Sequence, residues 1–177
     1  MRTIDPARSL LLTIDFQARL MPAIHEGEIT VRNASRLIQI ARLLDVPRLF
    51  TEQNAKGLGV TVSEIPVEQY PLVHKQSFNA CREDGFLDLV PSDAEVIVLG
   101  CEAHVCVQQT VLGLLAASRR TFVARDAIGS RTPENKEAAL RRMARHGAEI
   151  VTTEMVAFEW LQTAEHPMFR QVVALIK

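Results

Sequence analysis

The amino-acid sequence predicts an α/β protein in which a parallel sheet is covered by helices on both faces. Short apolar runs alternate with longer segments of helical period along the 177 residues. The first run, residues 9–16, is almost continuously apolar, as expected for a strand that is buried on both faces. Repeated strand–helix units of this length favour parallel strands with crossover helices. No internal repeat or linker divides the chain, so we expect one domain over residues 1–177.

Five further short runs are typical of strands. The clearest of them, residues 95–100, is rich in β-branched residues. The others are residues 47–51, 72–75, 121–124 and 149–152. Together with the first run they predict six strands.

The segments between the strands mostly have helical spacing. Apolar residues recur every three or four positions in residues 29–44 and 104–118, which predicts an amphipathic helix in each. Thr132 is a candidate N-cap for the helix that follows the fifth strand. Glycines and prolines mark residues 52–71 as an irregular segment, and a brief helix is expected at residues 85–89. Helical segments also follow the last strand.

Composition excludes several functional classes. The chain is 47% hydrophobic and 23% charged, with a formal net charge of −1. That balance provides no electrostatic footprint for nucleic acid or for a membrane surface, so we expect neither partner. No apolar run approaches the roughly 18 residues of a spanning helix, and the first residues are too polar for a secretory signal. Three cysteines are too few for a disulfide framework, which favours reduced thiols and a cytoplasmic location.

Three reactive side chains lie at or just beyond predicted strand ends: Asp15, Lys75 and Cys106. Because ligands bind at the carboxyl ends of parallel strands, these residues are the candidate catalytic set. Cys106 is expected near the start of a helix, where free N–H groups and Lys75 should lower the pKa of its thiol and favour a nucleophilic thiolate. The pattern leaves open that Cys106 is a small buried hydrophobe, Asp15 a turn residue and Lys75 a solvated side chain.

No metal or cofactor is expected. The five histidines are scattered and show no metal-binding pair, namely His25, His74, His104, His146 and His166. Neither a phosphate-binding loop nor a Gly-x-Gly-x-x-Gly motif is present, and Cys81 and Cys101 read as a loop residue and a strand residue.

Four segments together resemble the isochorismatase-like cysteine hydrolase superfamily, most closely its branch of isochorismatase domain-containing proteins. They are LLTIDFQ around Asp15, TEQNAKGLG at 51–59, HKQSFNA around Lys75 and VLGCEAHVCVQQT around Cys106. The resemblance implies a three-layer α/β/α, Rossmann-like fold with a six-stranded parallel sheet. It also implies an Asp-Lys-Cys triad at Asp15, Lys75 and Cys106.

The same resemblance implies further features of the site. A cis peptide is implied between Cys101 and Glu102, with the backbone amides of Glu102 and Cys106 forming an oxyanion hole. Nicotinamidases of this superfamily carry an Asp-x-His metal motif after the second strand, whereas residues 51–54 here read TEQN, so we expect metal-independent chemistry. The vinyl-ether chemistry of true isochorismatases does not use the cysteine as an acyl nucleophile. Its presence therefore favours cleavage of an amide, imide or ureido bond.

The pocket and the partners are less constrained by the sequence. Candidate substrate-pocket residues are Phe16, Leu20, Gln53, Phe78, His104 and Trp160, although the aromatic and aliphatic ones are also typical of a core. The expected partner is a small molecule. The resemblance and the apolar terminal stretch, residues 169–176, indicate a homo-oligomer, a dimer or larger. The competing hypothesis is a non-catalytic binding or scaffold protein, or a redox-sensing thiol, on the same fold.

Overall fold

The computed structural model of the protein describes residues 3–67 and 70–177. Six parallel strands form one sheet in the order β3-β2-β1-β4-β5-β6. The strands are β1 (Ser9–Ile14), β2 (Arg48–Gln53), β3 (Leu72–Lys75), β4 (Glu95–Cys101), β5 (Arg120–Gly129) and β6 (Glu149–Val151). The predicted six-stranded parallel sheet is confirmed. The expected irregular segment at 52–71 includes two positions, 68 and 69, that lie outside the described residues.

Helices cover both faces of the sheet and give the predicted three layers. They are α1 (Gly27–Leu43), α2 (Ala55–Leu58), α3 (Gln108–Ala116), α4 (Pro133–Arg145), α5 (Thr153–Leu161) and α6 (Phe169–Ile176). The buried side chains of α1, α5 and α6 form one apolar core with the sheet, and those of α3 and α4 form a second core on the opposite face. In the described part of the chain, no helix is both long and apolar enough to cross a membrane.

Local signals in the sequence account for these elements. All six residues of β1 are buried, as its almost continuously apolar run predicts for a central strand between two helical layers. The Thr132 side chain accepts a hydrogen bond from the Asn135 N–H and caps α4, with Pro133 in the first turn. These contacts stabilise the helix start where the sequence predicted it.

Two elements differ from the predicted pattern. The helix expected at 104–118 begins as a π-helical turn, Ala103–Val107, in which the Glu102 carbonyl accepts from the N–H groups of both Val105 and Val107. Strand β2 also runs beyond the predicted end of residues 47–51, because β3 pairs with it as far as Gln53 opposite Lys75. This extension brings Gln53 to the carboxyl edge of the sheet.

Strands β1 and β4 approach each other closely at their carboxyl ends. Ile14 lies opposite Gly100 in the register, and Gly100 has a φ of +138°. A Cβ at this position would overlap the Ile14 carbonyl oxygen. Only glycine therefore allows the two strands to meet just before Asp15 and Cys101. This junction is also the point where the chain changes direction across the sheet, which is where ligands bind in open α/β folds.

We expect Gly100→Ala to lower the free energy of unfolding by about 2–5 kcal/mol, because it combines backbone strain with overpacking. Gly85→Ala is the matched control: Gly85 also has a positive φ, +76°, but a Cβ there would have no neighbour within 4 Å. The control should cost only about 1 kcal/mol. Chemical denaturation of both variants measures the difference, and equal losses would contradict the close approach of β1 and β4.

Candidate active site

The structure brings Asp15, Lys75 and Cys106 together at the carboxyl edge of the sheet, and we call them the candidate triad. Asp15 directly follows β1, Lys75 is the last residue of β3, and Cys106 lies in the π-helical turn after β4. Asp15 has a φ of +52°, which an aspartate tolerates better than most residues. All three residues are buried. Strand ends that are far apart in the sequence therefore converge on one small volume.

A buried ion pair joins two members of the candidate triad. The Lys75 Nζ lies 2.7 Å from Asp15 Oδ2, and neither side chain is exposed to solvent. The other carboxylate oxygen, Asp15 Oδ1, accepts a hydrogen bond of 2.6 Å from the Thr51 hydroxyl. Burial of two charges costs several kcal/mol per ion unless short contacts and further hydrogen bonds compensate for the lost water. Asp15 has both the short contact with Lys75 and the further hydrogen bond from Thr51.

The Lys75 ammonium has three acceptors. Besides Asp15 Oδ2, it donates to the side-chain oxygen of Gln53 at 2.8 Å and to the Ser77 carbonyl at 3.4 Å. An ammonium has three N–H donors, so this set uses all of them. These three oxygen atoms hold the Lys75 ammonium in place.

The Cys106 thiol is in a less reactive state than the sequence predicts. The pKa of this thiol is raised to about 12, first because the sulfur is buried and second because the Asp15 carboxylate lies beside it. The Lys75 ammonium favours the thiolate but does not cancel these two effects. The expected lowering of the thiol pKa is therefore wrong, since loss of water outweighs the helix start and the lysine.

The other two thiols are also protonated at neutral pH. Burial raises the pKa of Cys81 to about 11, and burial raises that of Cys101 still further. Cys101 is fully buried in β4 and Cys81 lies partly exposed near α3. The Cys106 thiol differs in that both members of the Asp15–Lys75 ion pair act on it.

The loop that precedes Cys106 is anchored to the end of β5. The Cys101–Glu102 peptide bond is cis, as the family resemblance implied. The Glu102 carboxylate accepts hydrogen bonds from the backbone N–H and the Nε of Arg131, at 3.2 and 2.9 Å. His104 Nδ1 lies 3.0 Å from the Ser130 hydroxyl. The backbone on the amino side of Cys106 is thus tied to residues 130–131.

The predicted pocket residues lie in different parts of the structure. Gln53 contacts Lys75 of the candidate triad, whereas Phe16 is buried in the core and Leu20 packs against that core. Phe78 is about half exposed. Trp160 was wrongly predicted to line the pocket: it is buried, and its indole N–H donates to the Ser9 hydroxyl at the start of β1, the opposite end of that strand from Asp15.

Sequence reasoning missed two polar residues that support the site. Thr51 lies opposite Ile14 in the sheet and donates to Asp15, and buried Gln17 forms hydrogen bonds with the backbone of Gln53. The only signal in the sequence was that polar residues continue the end of the second strand. Which atoms they contact depends on the strand register.

A cavity of about 840 Å³ lies along α1 and is lined by Met21, Val31 and Arg36 among others; the candidate triad does not line it. Within the described ranges, no group of three or more His, Cys, Asp or Glu side chains is arranged to hold a metal ion. The chemistry that this edge of the sheet offers comes from a thiol, a carboxylate and an ammonium.

Comparisons with known proteins agree on the family. A family model described as the isochorismatase domain matches residues 9–155. Isochorismatase domain-containing protein 1 of Danio rerio is 35% identical over 177 residues, which is 98% of this chain and 62% of that protein. The chain therefore spans less than two thirds of that relative's length.

Solved structures share the fold. One described as the MAR1 ribonuclease from Caenorhabditis elegans is 33% identical, with a TM-score of 0.90 over 98% of this chain and 92% of that one. The YcaC gene product from Escherichia coli, described as an octameric hydrolase of unknown specificity, has a TM-score of 0.89 and covers 99% of this chain and 88% of its own. At 23% identity it is evidence for the fold alone.

The two charged neighbours of Cys106 should shift its titration in opposite directions. Asp15→Asn removes the negative charge that raises the thiol pKa, so this pKa should fall and alkylation by iodoacetamide near neutral pH should become faster. Lys75→Met removes the opposing positive charge, so the pKa should rise and alkylation should become slower. The measurement is a pH series of alkylation rates, with labelling at Cys106 mapped by mass spectrometry.

Cys106→Ala gives the background labelling of the other two cysteines. Both substitutions leave one buried charge without its counter-charge, so thermal melting must first show that each variant folds. Asp15→Asn keeps the shape of Asp and leaves the Lys75 ammonium its Gln53 and Ser77 acceptors. An Asp15→Asn protein that alkylates like the wild type, or more slowly, would show that the carboxylate does not act on the thiol.

Proposed function

The chain belongs to the isochorismatase family, and on that premise we propose that it is a cysteine hydrolase that cleaves a carbon–nitrogen bond of a small molecule. The bond is of the amide, imide or ureido type. Cys106 is the nucleophile, Asp15 moves the proton, and Lys75 holds the Asp15 carboxylate in place. The observation that carries the proposal is the buried Lys75–Asp15 ion pair beside a buried thiol.

A buried ion pair is poor evidence for a purely structural role. Apolar side chains of similar volume would stabilise a protein interior as well or better, because they carry no desolvation penalty. Nucleophilic catalysis, in contrast, needs a base close to the nucleophile and a third group that orients the base. The Lys75–Asp15 ion pair and its effect on the Cys106 thiol support the assignment of Asp15 as the base and Lys75 as the group that orients it.

The first half-reaction forms a covalent intermediate. As the Cys106 Sγ bonds to the substrate carbonyl carbon, the thiol proton passes to the Asp15 carboxylate and the carbonyl π electrons move to oxygen. The backbone N–H groups of Glu102 and Cys106 stabilise that oxyanion. The oxyanion then collapses, the carbon–nitrogen bond breaks, and Asp15 returns its proton to the leaving nitrogen. An acyl group remains on sulfur as a thioester, or a carbamoyl group remains as a thiocarbamate.

The second half-reaction restores the enzyme. Asp15, again a carboxylate, takes a proton from water while the water oxygen bonds to the thioester carbon. The carbon–sulfur bond breaks, and the departing Cys106 sulfur regains a proton from Asp15. The Lys75 ammonium keeps its charge throughout and stabilises each anionic state of Asp15 and of the sulfur. The net reaction adds one water across the bond.

The alternative functions have less support. A redox-sensing thiol is expected to be accessible and to have a low pKa, whereas the Cys106 thiol is buried and its pKa is raised. A scaffold protein has no need of the ion pair. The similar structure from Caenorhabditis elegans is described as a ribonuclease. RNA is a less suitable substrate for the present chain, because a net charge of −1 does not neutralise phosphates.

We also propose a cytoplasmic homo-oligomer. All three cysteines are free thiols, in keeping with a reducing compartment. Helix α6 packs on the core, and beside it Met155 and Phe158 of α5 remain 45% and 43% exposed, with the Phe158 ring 6.5 Å from Phe169. Exposed apolar side chains at a helix pair are suited to a contact between copies.

Cys106→Ala should abolish hydrolysis while the protein stays folded. Loss of a nucleophile lowers turnover by about three orders of magnitude or more, whereas the change from thiol to methyl is small for packing. A library of amides, imides and ureido compounds with ammonia detection provides the substrate, and Cys81→Ala is the control that should keep wild-type turnover. Wild-type turnover by Cys106→Ala would refute the assignment.

Turnover should be unchanged after exhaustive treatment with EDTA, because the proposed steps use only protein side chains and backbone amides. The measurement compares rates on the substrate found in the library before and after chelation. Loss of activity that zinc or manganese restores would mean that a metal ion takes part in the reaction.

A further inference from the structure

Gln53 contacts two members of the candidate triad, Lys75 and Cys106. Its side chain is buried at the end of β2, and its Oε1 accepts a hydrogen bond of 2.8 Å from the Lys75 ammonium. The Cys106 Sγ lies 3.9 Å from the same oxygen, with the thiol as donor. One neutral oxygen thus faces both the cation and the nucleophile.

The NH₂ group of the Gln53 side chain fixes the orientation of the amide. The Gln53 Nε2 donates to the Gln76 carbonyl at 2.7 Å, so the oxygen must point toward Lys75. The Gln76 carbonyl belongs to a segment that is itself anchored, because the Glu83 carboxylate accepts from the N–H groups of both Gln76 and Ser77 at 3.0 and 2.8 Å. A rotation of the amide would place an NH₂ group against an ammonium.

The backbone of Gln53 is held as firmly as its side chain. Gln17, which is fully buried, accepts from the Gln53 N–H at 2.8 Å and donates to the Gln53 carbonyl at 3.0 Å. The Gln17 side chain also donates to the Gly59 carbonyl at 2.6 Å. Gln53 therefore has little freedom to move when a ligand enters.

This arrangement decides where the Lys75 charge is directed. Because Asp15, Gln53 and Ser77 accept from the three donors of the Lys75 ammonium, only a weaker interaction with the ammonium remains for the Cys106 sulfur. The charged groups Asp15 and Lys75 both act on the pKa of this thiol, which Asp15 raises and Lys75 lowers. A carbonyl oxygen beside the sulfur accepts the S–H and disfavours a thiolate.

We propose that Gln53 is a positioning residue: its amide oxygen holds the Lys75 ammonium on Asp15 and away from Cys106, so that the thiol keeps its proton until a substrate carbonyl enters the site. The proposal deepens the cysteine hydrolase function and rests on it for its biological meaning. When the thiol proton moves to Asp15, the pull of the carboxylate on Lys75 ends, and the ammonium can then stabilise the sulfur anion.

The test exchanges Gln53 for residues with opposite effects on the thiol. Gln53→Met keeps the volume but removes the acceptor, so one Lys75 N–H turns to the sulfur and favours the thiolate. Alkylation of Cys106 by iodoacetamide near neutral pH should become about tenfold faster, which corresponds to one pH unit in the titration. Gln53→Glu places a second negative charge beside the sulfur, so alkylation should become slower than in the wild type.

Rates at several values between about pH 7 and 9 suffice, because the thiolate fraction rises about tenfold per unit below the midpoint. Gln39→Met, an exposed position on α1, is the matched control and should alkylate like the wild type. A purely structural role for Gln53 would loosen the site in both variants and speed both reactions. Faster alkylation of Gln53→Glu, or unchanged or slower alkylation of Gln53→Met, overturns the proposal.

The readout needs no substrate, so it is independent of whether the protein is a hydrolase. Thermal melting identifies variants that do not fold; where Gln53→Met is one of them, Gln53→Leu, which also removes the acceptor, takes its place with the same expected acceleration. Fast alkylation of Gln53→Met together with an absence of hydrolysis in the compound library would sustain the role of Gln53 and refute the proposed function.

Discussion

The ion pair between Lys75 and Asp15 is the interaction on which the rest of the site depends. The two charges reach each other across the end of β2, and neither contacts solvent. Burial of such a pair costs several kcal/mol per ion. The ion pair therefore requires the hydrogen bonds that Thr51, Gln53 and Ser77 form with it. The order of the strands and the identity of the residues at their ends are therefore linked.

Burial gives this site a different resting state from that of an exposed catalytic cysteine. In water, a nearby lysine and a helix start would lower the pKa of a thiol. Here the loss of hydration and the charge of Asp15 outweigh both, and the pKa of Cys106 is raised to about 12. A buried, neutral thiol beside a neutral ion pair leaves the net charge of the site unchanged when a proton passes from sulfur to Asp15. Such a transfer avoids moving charge in or out of a low-dielectric interior.

The fold brings these groups together through one close backbone approach. Gly100 lets β1 and β4 meet where the chain changes direction across the sheet, so that Asp15 and the turn that bears Cys106 begin next to each other. The anchor between Glu102 and Arg131 then fixes the loop on the amino side of the thiol. Sheet geometry and site geometry share the same few residues.

The sequence by itself determined the layers and the place of the site. Burial on both faces produces continuous apolar runs, and parallel strands place their carboxyl ends at one edge, so the six strands and the positions of Asp15, Lys75 and Cys106 could be predicted. Only the tertiary structure decided the direction of the thiol pKa, the role open to Gln53 and the exclusion of Trp160 from the pocket. These depend on contacts between residues far apart in the chain, such as the 60 positions that separate Lys75 from Asp15, and on how much water their packing excludes.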